Sequence, residues 1–180
     1  ERPTETSMYA VRELVKHVKL ATGVALDVVT ESKAPSDTHS LIYVGETKTA
    51  FQHGIDSQRL PREAFVMRSV GNDLFILGKE NGADPLDKSN PDIGTLFGVY
   101  ELLEKYVGVR WLWPGELGTF VPHAKTITIP AIKQIKQPDL LFRNMRNHGH
   151  NNIDKNSKDA LLGFSPPVAK NYNKALNVLY

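Results

Sequence analysis

The chain has 180 residues, 41% of them hydrophobic and 23% charged, enough to bury a core and fold as one globular domain with a short appended piece. Its 22 basic and 20 acidic residues are interspersed and leave a net charge of +2, so there is no basic stripe to track phosphates and nucleic acid is not an expected partner. Without cysteine there are no disulfides, no thiolate catalysis and no thiolate-bound zinc. No apolar run approaches the ~20 residues of a membrane helix, so no membrane partner is expected. The first residues, Glu-Arg-Pro-Thr-Glu-Thr, are neither a signal peptide nor an anchor and read as a start just behind a removed segment.

Over residues 7–22, Val11, Leu14, Val15, Val18 and Ala21 recur at spacings of three and four. They predict an amphipathic helix, which Gly23 stops. Short runs rich in branched or aromatic residues at 26–29, 41–44, 65–70 and 74–77 predict strands, each bounded by turn residues. Gly71 and Asn72 between the last two predict a β-hairpin over residues 65–77. Residues 79–92 form a loop punctuated by Gly82, Pro85, Asn90 and Pro91, with Asn90 expected to cap the next helix. Leu96, Val99, Tyr100, Leu103 and Val107 mark that helix, which should end near Tyr106, just before Gly108. A short strand at 109–112, a turn at 114–118 and a final strand at 126–129 follow. Residues 131–138 read as a linker, 140–145 as a strand entering a separate unit, and the polar stretch behind it as a tail with a last helix over 168–179. The fold expected for residues 1–132 is α+β, a two-layer mixed sheet packed with two main helices, with residues 133–180 as linker and an incomplete further unit.

Four groups of side chains are candidates for chemistry. Gly94 and Gly98 suggest a phosphate cradle, but Gly98 falls inside a helix rather than between strand and helix, so close packing explains it better and no cofactor is expected. Trp111 and Trp113 flank Leu112, and in an extended segment both indoles point one way, as a sugar-stacking platform or as a core layer. Large aromatics usually bury, which favours the core layer. Glu116, in the turn behind them, can bond a hydroxyl, yet glycoside hydrolysis normally uses two carboxylates and no persuasive pair is visible. His148 and His150, with Asp154 and His123, are weak metal candidates because no third ligand stands at a diagnostic spacing. Arg143 and Arg146 default to the surface.

The stretch from residue 94 to 122, Gly-Thr-Leu-Phe-Gly-Val-Tyr-Glu-Leu-Leu-Glu-Lys-Tyr-Val-Gly-Val-Arg-Trp-Leu-Trp-Pro-Gly-Glu-Leu-Gly-Thr-Phe-Val-Pro, resembles the α-glucuronidase-like N-terminal domain of glycoside hydrolases. Residues 10–30 and Ile42-Tyr43-Val44-Gly45-Glu46 are similar to the same domain, so the resemblance spans roughly residues 7–130. It implies a mixed sheet with two helices, shared with the second domain of β-hexosaminidases and followed by a (β/α)8 barrel that holds the catalytic carboxylates beyond Tyr180. The residues from Pro138 through Arg143 are similar to the opening of such a barrel, which makes Arg143 a candidate at its site. Trp111, Trp113 and Glu116 would then approach the neighbouring barrel's mouth, and His148 and His150 match no family pattern. The resemblance further implies a secreted or periplasmic polysaccharide-degrading enzyme, with this part as a non-catalytic accessory domain whose partners are its own C-terminal catalytic domain and an oligo- or polysaccharide. The alternatives are a sugar-binding module on the tryptophan pair and a metal-dependent hydrolase around His148 and His150.

Overall fold

The computed structural model describes residues 2–35, 40–87, 92–112 and 115–139. Helix α1 spans Glu5–Thr22. Its N-cap Thr4 accepts a hydrogen bond from the Ser7 N–H, Glu5 and Lys19 complement the helix dipole at either end, and Gly23 closes it in the left-handed region with its N–H on the Lys19 carbonyl. The buried line runs through Ser7, Ala10, Leu14, His17 and Ala21. Of the predicted stripe, Val11, Val15 and Val18 are only partly covered, and a histidine takes a place in the core.

Strands β1 (Ile42–Val44), β2 (Phe65–Val70), β3 (Asp73–Gly78) and β6 (Lys133–Lys136) form one mixed sheet in the order β1-β3-β2-β6. Strand β1 runs parallel to β3, and the other pairs are antiparallel. The predicted hairpin is present, with Val70 opposite Asp73 and Gly71 alone taking positive φ, as a two-residue turn with glycine first requires. A five-residue helix α2 (Lys48–Gln52) follows β1, and α3 (Gly94–Leu102) continues through a wider turn, Leu103–Val107, to Gly108. Two short strands, β4 (Arg110–Trp111) and β5 (Thr119–Phe120), make a separate ribbon.

Side chains alternate across the sheet, so one face carries Phe65, Met67, Leu74 and Ile76 against α1 and α3, and the other carries Val66, Phe75 and Leu77 against α2, Ile55 and Leu60. The fold is mixed α and β, with a four-stranded mixed sheet and three α-helices among the described residues. The expected two layers thus gain a partial third on the second face.

Several elements differ from expectation. Residues 26–29 are not a strand, and Val28 and Val29 are exposed, because that stretch finds no hydrogen-bonding partner along β1. Residues 126–129 likewise form no strand. The stretch 131–138, expected as a linker, instead supplies β6, which pairs with β2 from Phe65 opposite Lys136 to Arg68 opposite Lys133. The sheet therefore extends past residue 132. Helix α3 begins at Gly94 with Ile93 at its N-cap, so the predicted cap by Asn90 is corrected, and Asn90 and Pro91 themselves lie outside the described residues. The expected strand at 140–145, the barrel opening and the last helix also lie outside them. Among the described residues no helix is long and apolar enough to cross a membrane.

Candidate functional site

The segment from α3 to β5 carries the residues singled out in the sequence. Every residue of α3 is buried. Close approach to the sheet requires its glycines: a Cβ on Gly98 would stand 2.7 Å from Ile76 Cγ2 and 3.2 Å from the Phe65 ring, and one on Gly94 would run into the Ala64 carbonyl oxygen. The N-terminus of α3 thus packs closely on the backbone of Gly78 and Ala64, with the Gly94 N–H on the Lys79 carbonyl.

Past α3 the turn widens over Leu103–Val107, and Gly108 closes it at φ 86, with its N–H on the Leu103 carbonyl. That exit aims alternate side chains. Val109 and Trp111 enter the core, while Arg110 and Leu112 face outward. Arg110 holds the corner by donating from Nη1 to the carbonyls of Glu104 (2.9 Å) and Val109 (2.8 Å). Burial pushes the Glu104 carboxyl up, against the opposing pull of Arg110.

Trp111 is 8% exposed and meets two rings edge-on, Tyr100 at 5.1 Å between centroids and His17 at 5.5 Å. The core layer is therefore its place, not an exposed platform. The Tyr100 hydroxyl donates to Glu13 Oε2 (3.3 Å), and burial together with that carboxylate pushes the phenol well up. His17 Nδ1 lies 2.8 Å from the Glu13 carbonyl oxygen, which can only accept, so Nδ1 carries the proton in the neutral ring. Burial pushes this imidazole below its ordinary value, partly offset by Glu13. At 2% exposure, His17 is positioned as a polar core residue rather than as an acid or base with access to a substrate. Sequence periodicity missed it because histidine is not scored as apolar. Its spacing of seven from Ala10 and three from Leu14 was the available signal.

Glu116 is exposed at the start of the short turn Glu116–Gly118, and His123 is exposed as well. Trp113, Arg143, His148 and His150 lie outside the described residues. Among those described, no three His, Asp or Glu side chains gather as metal ligands would. Glu101, buried in α3, pairs with Lys136 of β6 and so ties the edge strand to the helix.

The ribbon β4–β5 has two faces of opposite character. Trp111 and Thr119 are opposite one another on the inner face. Arg110 and Phe120 are opposite on the outer one, and Leu112, two residues on from Arg110, shares that side. Leu112 is 72% exposed, Phe120 57%, and Leu117 at the tip is fully exposed. No protein-family model matches the chain, and no curated protein matches it.

Proposed function

We propose that this domain is a non-catalytic accessory domain of an exported carbohydrate-active glycoside hydrolase, packing on and orienting the catalytic domain. The observation that carries this reading is the β4–β5 ribbon, anchored inward by Trp111 and clamped by Arg110, which presents Leu112, Leu117 and Phe120 to solvent. Several exposed apolar side chains on one short ribbon are characteristic of a surface that another protein surface covers. The resemblance of residues 94–122 to the N-terminal domains of glycoside hydrolases names the neighbour. A sugar-stacking role is not supported for Trp111, whose ring is used within the core.

The purified chain should neither hydrolyse a panel of neutral and acidic oligosaccharides nor change its tryptophan fluorescence when titrated with them. Hydrolysis, or a saturable fluorescence change lost in Trp113→Ala, would overturn the reading. Leu117→Asp and Phe120→Asp should leave stability within about 0.5 kcal/mol, since neither side chain serves the domain's own core. A loss of several kcal/mol in a denaturation curve would make the ribbon face structural instead.

A further inference from the structure

The second face of the sheet is covered by α2 and the segment behind it over Phe75, Leu77 and Val66, but the cover stops short of β6. An open groove of about 360 Å³ remains between residues 54–60 and the β2–β6 pair. Its floor is aliphatic, with Leu60 and Val66 below and Ile135, 66% exposed, beside them. Asp56 lines the loop side.

Two cations close one end. The register sets Arg68 opposite Lys133 on the same face as Val66 and Ile135. The Ser69 N–H donates to the Ile132 carbonyl at 2.8 Å, so by the alternation of an antiparallel ladder the Arg68 and Lys133 pair is a non-hydrogen-bonded one, with Cα atoms only about 4.5 Å apart. Like charges directly opposite destabilise a strand pair. Among the described residues no carboxylate forms an ion pair with either cation, whereas Glu101 does so with Lys136. Lys136, on the other face of the same short strand, thus has its counter-charge, and Lys133 does not. Arg68 makes one long donation, 3.5 Å, to the His53 carbonyl.

We propose that this groove binds a small carboxylate carried on an apolar-faced body, its oxygens taken by Arg68 and Lys133 and its body laid on Leu60, Val66 and Ile135. A charge-assisted pair of donors at the end of an aliphatic trough fits such a ligand on both counts. A sugar acid and a short aliphatic acid share this chemistry. Asp56, with one oxygen engaged by the Gln58 N–H, can accept from the hydroxyls of the former. The inference does not depend on the accessory role proposed above.

The test is an amide-resolved NMR titration of the full chain with glucuronate, hexanoate, acetate and sulfate. Glucuronate or hexanoate should saturate, with shifts confined to residues 54–60, 66–68 and 133–135, and bind about tenfold more tightly than acetate or sulfate, which leave the floor empty. Preference for glucuronate, weakened in Asp56→Asn, assigns a sugar acid; preference for hexanoate assigns an aliphatic one. Arg68→Gln and Lys133→Gln should each weaken binding about tenfold, yet raise the ligand-free thermal midpoint by about 2 °C as the repulsion is relieved. That rise also shows that the variants fold. Absence of saturation by both acids, equal response to acetate and sulfate, or undiminished binding in the two variants would overturn the proposal.

Discussion

A histidine buried against an aromatic ring is tolerated in its neutral form and opposed in its charged form, and His17 lies edge-on to Trp111 with its Nδ1 proton on a helix carbonyl. Its folded value lies below the ordinary 6.5, so the unfolded chain binds a proton more readily than the folded one. Stability associated with His17 is therefore complete above about pH 6.5 and is lost as pH falls through the folded value, with a slope of at most about 1.4 kcal/mol per pH unit. Urea denaturation at pH 7 and pH 5 should show the loss, and His17→Leu should flatten it. An unchanged slope in that variant would place the acid sensitivity in another group. Trp111 itself was legible as a core residue because large aromatics usually bury, whereas His17 was not, because its burial depends on which neighbours α1 meets rather than on its own polarity.

Helix α3 approaches the sheet closely because glycine stands where other residues would collide. Alanine at position 98 gains about 1 kcal/mol of helix propensity but forces Ile76 and Phe65, both buried, to shift, at a cost of about 1–3 kcal/mol. The clash wins, since Ile76 lies on the central strand β3 and has no free space to turn into. Gly98→Ala should lose up to about 2 kcal/mol, read as a lower urea midpoint at unchanged slope. A gain would mean that the helix can retreat from the sheet. Helix α2 illustrates the opposite case of an element too short to read from periodicity. It is held at its start by Thr47, which accepts from the Ala50 N–H, and by the distant Glu31, whose carboxylate accepts from the N–H groups of Lys48 (3.0 Å) and Thr49 (2.7 Å). Burial raises this carboxyl, and hydrogen bonds from Thr49 and Lys48 more than offset it, holding it below the ordinary value.

At the scale of the whole molecule, the decisive strand is β6. It closes the antiparallel side of the sheet, buries Ile132 and supplies Lys136 to the otherwise buried Glu101 carboxylate. Relative to a chain ending at residue 139, one ending at 131 should lose about 3 kcal/mol or more, because it strips an aliphatic side chain from the core and leaves a buried carboxylate without its cation. Equal melting of the two truncated chains would restore residues 131–138 to the role of linker. The groove proposed as a carboxylate site exists only through this pairing as well. Arg68 and Lys133 are far apart in the chain, and nothing in either one's local sequence announces the other.

Local chemistry was enough to specify α1 from residue 7 to its stop at Gly23, the hairpin turning at Gly71, and the long helix ending at Gly108, while the start of α1 behind Thr4 came from the structure. Caps, turns and the 3.6-residue period act over a few neighbours and can be read one window at a time. Strand identity could not be settled in that way. Residues 26–29 and 126–129 have the composition of strands yet pair with no strand among the described residues, while the Lys-rich stretch 133–136 becomes a strand because β2 offers it a free edge. A strand is completed by hydrogen bonds to a partner distant in sequence, so only the tertiary structure decides which apolar runs become sheet, which face buries Trp111, and which two cations are set side by side.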